Sequence, residues 1–423
     1  MVAGSSEGEL AAVRPAATAA ERAATPRRRP KNRKAQIVRV AARAFSERGY
    51  HPVGVDEIAA EVGISGPALY RHFANKYALL VAAAENGAQQ LLDAAEAADT
   101  PGLDPKARLI ALIRALAEHT IDVRRESGLY RWERRYLERA DRARIRVIYD
   151  RLQHLLESAI ADLRPDTSPE DLTLLATGMM GVIGSITAHR TALSNARLVD
   201  VILDMCWAIL HTELPPPTSA AAANPVRGLP LSSKREQLLA EAIRIFGRQG
   251  YHEASIEEIG AAVGINASSV YRYFPSKSDL LAAAFHRTGE RVAIANSEAL
   301  AEATSRADAA VRIATRFARL TFSMPEVLPV YFAEFSNLPA AEQQKLRSVQ
   351  RQNVLEWAHL LDDDPAESRC RVHAAIAQVV DVGRKLRFEN RPENVARVRA
   401  LMEAVLLGWN SPPPEADPNP GEQ

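Results

Sequence analysis

Apolar residues recur along this chain at helical spacing. Ile37, Val40, Ala41, Ala44 and Phe45 fall at i, i+3, i+4, i+7 and i+8 and make one stripe on a helix. Leu238, Ala242, Ile245 and Phe246 repeat that stripe 201 positions later. Gly49 and Gly250 follow, where a helix end favours a residue free of the Cβ penalty. Asp104-Pro105 predicts an N-cap and a first helical residue, and Leu109, Ile110, Leu112, Ile113 and Leu116 give the helix after it a wide apolar face. No segment alternates with the two-residue period of a strand, so the expected class is all-α.

The recurrence is more than a pattern. Residues 45–84 return at 246–285 without a gap, with 18 of 40 positions identical. Tyr130, Glu133 and Leu137 match Tyr331, Glu334 and Leu338 at the same shift, so a whole unit of roughly 185 residues is duplicated. The expected division is a disordered leader at 1–26, a first head at 27–85, a first helical regulatory domain at 86–214, a linker at 215–231, a second head at 232–286, a second regulatory domain at 287–410 and a disordered tail at 411–423.

Each duplicated stretch reads as a helix-turn-helix followed by a helix that starts at a lysine. Val55–Val62 predicts a short helix, Gly63 a turn, Ser65 an N-cap whose hydroxyl accepts from the next helix, and Gly66–Phe73 a two-turn recognition helix anchored by Leu69 and Phe73. The second copy offers Ile259, Val263 and Gly264, then Asn266 as cap, with Val270 and Phe274 as anchors. Tyr70, His72 and Lys76, and equally Tyr271, Tyr273 and Lys277, project phenol, imidazole and ammonium groups that can donate to phosphate oxygens. Both lysines begin a helix, whose free N–H groups attract an anion. Arg71 and Arg272 lie between them and can address guanine O6 and N7 or a phosphate.

Charge sharpens this picture. The net charge is only +1, yet nine Lys or Arg stand between Pro26 and Tyr50 against one acid, Glu47. A neutral whole with one basic end suits contact with nucleic acid over a limited face. Cys206 and Cys370 make no disulfide framework and no metal spacing, which suits a reducing cytosol. Cys370 lies between Arg369 and Arg371, which can lower a thiol pKa, but an inert cysteine is the expectation. No run of 18 or more apolar residues and no signal-peptide pattern occur, so the expected location is cytoplasmic, with the nucleoid.

The stretches GISGPALYRHFANK and GINASSVYRYFPSK closely resemble the signature of the TetR family of ligand-responsive repressors. The resemblance covers 31–85 and 232–286, and the two-module layout is similar to that of rare tandem members such as a mycobacterial repressor of a mammalian-cell-entry operon. It implies that Tyr70, His72, Lys76, Tyr271, Tyr273 and Lys277 clamp phosphates. It implies that Ser65, Gly66, Pro67 and Arg71 lie at the groove, with Asn266, Ala267, Ser268 and Arg272 as their counterparts. The family's frequent mid-helix Thr is Ala68 in one copy and Ser269 in the other, and its capping Thr or Ser is Gly54 and Ser255. Asp56 and Glu257 stand where some members place a base-reading arginine. An arm of Arg27, Arg28, Arg29, Lys31 and Arg33 precedes only the first head and can add phosphate or minor-groove contact. Since Gly-Pro-Ala-Leu differs from Ala-Ser-Ser-Val, the heads are expected to prefer unlike half-sites.

Behind the heads, the resemblance implies a ligand pocket and a four-helix interface. Gly178, Gly181 and Gly184 on one helix permit close approach. Leu172–Arg190 with Leu198–Thr212, and Val372–Phe388 with Val395–Gly408, are the expected halves of that bundle. One chain would then fill both subunit roles as an intramolecular pseudo-dimer; a homodimer of chains is the alternative. Tyr130, Trp132, Tyr136, Tyr331, Phe332, Phe335 and Trp357 are the aromatic candidates for a pocket. The tandem relatives and the apolar interior suggest a lipid, sterol or acyl-CoA effector that lifts repression by population shift. No cofactor or metal is expected. His-Glu-x-x-His, Gly-x-x-x-x-Gly-Lys-Ser/Thr and Gly-x-Ser-x-Gly are all missing from the sequence, so an enzyme is not expected. An activator of the same architecture, or a scaffold with one working head, are the alternatives.

Overall fold

The computed structural model describes residues 33–217 and 231–408. The leader at 1–26, most of the linker and the tail lie outside the described residues, as do Arg27, Arg28, Arg29 and Lys31. Among the described residues there is no strand, and helices follow one another in the same order twice. The first set is α1 (Arg33–Arg48), α2 (Val55–Val62), α3 (Gly66–Tyr70), α4 (Lys76–Ala98), α5 (Pro105–Asp122), α6 (Glu133–Tyr136), α7 (Arg139–Leu163), α8 (Pro169–Ser185) and α9 (Asn195–Leu210). The second is α10 (Lys234–Gln249), α11 (Ile256–Ala262), α12 (Ala267–Val270), α13 (Lys277–Glu302), α14 (Arg306–Ser323), α15 (Val327–Glu334), α16 (Ala340–Ala358), α17 (Pro365–Lys385) and α18 (Pro392–Leu407).

Local chemistry explains where these helices begin and end. Asp104, Ser168 and Ser194 cap α5, α8 and α9 by accepting from backbone N–H groups of the first turn. Gly63 ends α2 in the left-handed region at φ 74°, where a side chain would be strained. The expected stripe of α1 is the buried one: Ile37, Ala41 and Phe45 are fully enclosed. Burying a side chain such as Phe45 contributes about 1.5–3 kcal/mol.

The two modules share one core. Buried residues from α4, α5 and α7–α9 are contiguous with those of α13, α14 and α16–α18. Its centre is the face of α8 against α17, flanked by α9 against α18. This is the bundle expected from the sequence, now within one chain. Gly181 makes it possible: a Cβ there would lie 2.7 Å from the Cα of Gln378 on α17. Gly184 serves another purpose, because a Cβ there would meet the Tyr130 hydroxyl at 2.3 Å. Ion pairs tie the rim. Arg197 of α9 donates to both carboxylate oxygens of Glu367 on α17 at 2.6 and 2.8 Å. Arg397 of α18, only 1% exposed, reaches Glu170 and Asp171 in the first turn of α8. Both cysteines are buried, and burial pushes the Cys370 thiol up to about 12 despite Arg371, which makes it inert rather than reactive.

Candidate nucleic-acid interface

In each head a three-helix core fixes a short, solvent-facing helix. Leu69 and Phe73 insert between Ile37, Phe45, Ile58 and Val62 in the first head; Val270 and Phe274 do so between Leu238, Phe246 and Ile259 in the second. The anchors turn the opposite faces outward. Tyr70 and Tyr271 are each 50% exposed, an equality that places them equivalently. Arg71, His72, Arg272 and Tyr273 are exposed beside them, as are Ser65, Pro67, Asn266 and Ser268.

Several expected details differ. The recognition helix α3 ends at Tyr70 rather than Phe73; His72 and Phe73 continue as a turn, donating to the Leu69 carbonyl at 2.8 and 3.1 Å. Ser65 occupies the N-cap position, but its hydroxyl makes no capping bond. Pro67 removes the second N–H of the helix, and the Ala68 N–H goes to the Ser65 carbonyl at 2.9 Å. Asn266 does cap, accepting from Ser269 at 2.9 Å, and Ser255 caps α11, accepting from Glu258 at 3.0 Å. Gly66 is buried and not at an open face: a Cβ there would lie 2.0 Å from Asp56 Oδ1. Ala267 and Ser269 are half-buried, and the Ser269 hydroxyl accepts from Arg272 at 3.0 Å.

Part of the basic patch is turned inward. Arg33 donates to the Val62 carbonyl at the end of α2 at 3.0 Å, and Lys234, its counterpart, donates to the Val263 carbonyl at 2.6 Å. Arg43 and Arg48 pair with Glu61 and Glu57. Lys76 and Lys277 begin α4 and α13 as expected, but each ammonium also stitches the preceding loop. Lys76 donates to the His51 carbonyl at 3.1 Å and lies 4.6 Å from the Tyr50 ring centroid. Lys277 donates to His252 and Ala254 carbonyls at 3.3 and 2.9 Å, with its ammonium 4.6 Å from the Tyr251 centroid. Partial burial lowers the pKa of both.

The loops so stitched bring the heads into contact. The rings of His51 and His252 are 4.0 Å apart between centroids. Burial first, then His252 and Lys76, pull His51 down to about 4. Behind this contact Glu334 is fully enclosed. It accepts from Arg135 at 2.9 Å, from the Tyr251 amide at 3.2 Å and from Asn337 at 2.8 Å. Arg135 also donates to the Phe246 and Gly247 carbonyls at 2.7 and 2.8 Å, gripping the last turn of α10. Tyr136, expected in a ligand pocket, instead stacks near Tyr50 and His51 and reaches towards Glu334. Trp132 likewise packs with Leu129 into the first head's core. Tyr136 thus serves a joint, because the segment after α5 runs directly beneath the head, while Trp132, with Phe332 and Phe335, also borders an open space of about 530 Å³.

The other aromatic candidates do line internal space. Tyr130 borders a cavity of about 70 Å³ between α4, α5 and α8. Tyr331, Phe332 and Trp357 border one of about 120 Å³ between α13, α15 and α16. Phe335 lies outside it, against Tyr331 and beneath Arg347. Each cavity holds one buried polar atom with no hydrogen-bond partner, Glu133 Oε2 in the first and Trp357 Nε1 in the second. Burial raises the Glu133 carboxyl to about 7. Sequence reasoning did not single out Arg135, His51, His252 or the role of Glu133. The match of Glu133 with Glu334 at a constant shift was the available signal, since an acid retained at the same place in both copies needs a reason.

Comparison with known proteins finds a family match on each of the two heads. The profile described as "Bacterial regulatory proteins, tetR family" matches residues 37–83 and again 238–284, the two heads. The HTH-type transcriptional activator FasR of Mycolicibacterium smegmatis is 36% identical over 83 residues, which are 20% of this chain and 38% of FasR. The HTH-type transcriptional regulator TcmR of Streptomyces glaucescens is 32% identical over 70 residues, 16% of this chain and 31% of TcmR. The chain thus spans under two-fifths of the length of these relatives. A crystal structure of a tetR-family regulatory protein from Rhodococcus RHA1 aligns at 26% identity over 42% of this chain and 98% of that one, with a TM-score of 0.36.

Proposed function

We propose that this chain, which carries the TetR-family head twice, is a DNA-binding transcriptional regulator, and that one molecule reads an operator of two unlike half-sites and releases it when a small molecule binds behind the heads. The observation that carries this reading is the single core across α8 and α17 together with the His51–His252 contact, which presents both heads from one polypeptide. The exposed residues of α3 and α12 differ in kind, Pro67 against Ser268, which supports unlike half-sites.

Tyr70, Arg71, His72 and Lys76, with Tyr271, Arg272, Tyr273 and Lys277, are the proposed DNA contacts, and the arm of Arg28, Arg29 and Lys31 adds to the first head. Arg33 and Gly66 are better read as structural. The regulatory route is α4 and α13. Each starts at the head with its lysine and runs unbroken across the proposed boundary at 85 or 286 to line a cavity, through Ala84 and Ala88 or through Phe285 and Val292. A ligand that displaces either helix changes head spacing, and repression lifts to the extent of its differential affinity for the two states. The reading places the protein in the cytoplasm with the nucleoid; among the described residues no helix is long and apolar enough to cross a membrane.

The match to FasR, named an activator, favours a second reading in which the same architecture recruits rather than blocks transcription. Selection of bound genomic fragments with the purified chain, followed by footprinting, tests the first reading. Two unlike half-sites under one monomer support it. A palindrome covered by two chains overturns the single-molecule arrangement. Placing the footprint relative to the promoter, with in vitro transcription, separates repression from activation.

A further inference from the structure

A second space adjoins the first module's cavity and differs from it in chemistry. It is an open cleft of about 510 Å³ at the seam of the modules. Arg134, Arg142 and Arg146 enter it from α6 and α7, and Arg384, Lys385 and Arg387 from the end of α17. Three acids face these six cations: Glu133, Asp150 and Asp381, the last held by Arg384 at 3.1 Å. Like charges are thus gathered on both sides of one gap. Arg134 feels the cost: desolvation in the cleft and then the charges of Arg384, Arg146 and Arg142 lower its pKa. Arg142 is bound to the Leu137 carbonyl at 2.8 Å through one nitrogen, while its Nε is buried and unpartnered.

The second module's share is held in place by a strained turn. Arg387 and Phe388 have φ of 54° and 50°, unusual for residues with side chains. The Phe388 ring fills the place where a Cβ on Gly383 would stand, 2.3 Å from its Cε1. This fixes the turn that carries Arg387 to the cleft. Guanidinium forks from two directions match the oxygens of linked phosphates better than those of a single carboxylate, because the six cations exceed the three acids by three charges. Tyr130, Glu133 and Tyr149 line both this cleft and the apolar cavity beside Met180 and Ile183, so the two spaces meet.

We propose that this seam cleft binds a small phosphoanhydride whose apolar substituent enters the adjoining cavity, so that one ligand spans both modules. The proposal deepens the ligand-responsive reading given above and rests on it for its regulatory meaning, but its first test contains no DNA. The full chain is titrated calorimetrically with pyrophosphate, ADP, coenzyme A and hexanoyl-coenzyme A. Arg146, Lys385 and Arg387 are exposed, so R146E and R387E leave the core intact, as thermal unfolding without ligand checks. Saturable binding of hexanoyl-coenzyme A is expected, tighter than coenzyme A, with each variant weakening it at least tenfold and Arg351→Glu, which does not line the cleft, leaving it unchanged. Equal binding of ADP and hexanoyl-coenzyme A overturns the apolar half of the proposal. No binding of any probe, or binding indifferent to R146E and R387E, overturns it altogether while leaving operator selection to stand or fall by its own footprint.

Discussion

Arg135 of the first module donates to the enclosed carboxylate of Glu334 in the second at 2.9 Å, and the relationship has no mirror image. The counterpart of Glu334 is Glu133, but the counterpart of Arg135 is Ser336, too short to reach it. One buried acid is therefore paired across the modules and the other keeps an oxygen without a partner. Removing Arg135 takes from the buried Glu334 its cation, leaving it only neutral donors such as the Tyr251 amide and Asn337, and frees the last turn of α10. Arg135→Ala is expected to cost about 3 kcal/mol, the scale for breaking a buried pair. Operator affinity should fall with it, since the second head loses its anchor. Urea unfolding decides the matter: a loss under about 0.5 kcal/mol, the level of an exposed pair, would show that the joint is ornamental.

The bundle depends on one missing side chain. Gly181→Leu places carbon atoms where the Gln378 backbone lies, and overpacking of this kind costs about 1–3 kcal/mol. The variant should expand, with the cross-module pair Arg197–Glu367 lost, which small-angle scattering and unfolding can follow. Gln378 offers the opposite change. Its amide is wholly buried with both polar atoms unpartnered. Gln378→Met keeps the length and should stabilise by about 1 kcal/mol by removing that unmet polarity. A loss instead would mean that a water satisfies the amide.

Much of this was legible in the sequence, and the physical reason is periodicity. The stripe of α1, the paired heads and the four seam helices were all written in spacing and in duplication. What spacing does not carry is which surface meets which. Trp132 and Tyr136 sit on a segment too short to show a face, so they read as pocket aromatics although they pack beneath the first head. Arg33 and Gly66 lie in the matched heads, yet their contacts are to Val62 and Asp56, a bond between elements that no local pattern encodes. The seam cleft draws its cations from positions over two hundred residues apart, and only the folded chain brings them together.

At the heads, tyrosine and lysine should separate contact from support. Tyr70 and Tyr271 are half-exposed, so Tyr→Phe at either removes a donor without disturbing the core. Each is expected to weaken operator binding about tenfold or more with unfolding unchanged, the scale of one hydrogen bond to a charged group. Lys76→Ala and Lys277→Ala should lower both affinity and stability, because each ammonium also holds a loop carbonyl. Loss of one phosphate contact reduces the slope of log affinity against log salt by about one. Unequal effects at the two heads would mean that one of them dominates recognition. An unchanged salt slope for both lysines would leave them as loop staples alone.

The buried acid of the first cavity sets a dependence on pH. Glu133 is raised from its ordinary 4.5 to about 7, chiefly by burial, with Arg384 and Arg134 opposing. The folded protein therefore binds this proton more tightly than the unfolded chain does. Stability from it is fully present below about pH 4.5 and is lost as pH rises through 7. A shift of that size corresponds to at most about 3 kcal/mol between those limits. His51 acts in the opposite sense: held near 4 by burial, His252 and Lys76, it contributes stability present above its ordinary 6.5 and lost as pH falls towards 4. The two slopes cancel in part between pH 5 and 6.5, so the clean window for Glu133 is pH 6.5 to 8. Glu133→Gln should abolish the decline there and leave the protein more stable than the parent at pH 8, while matching it at pH 4. Urea unfolding at those three pH values checks this, and parallel curves for parent and variant would place the Glu133 proton outside the folding balance.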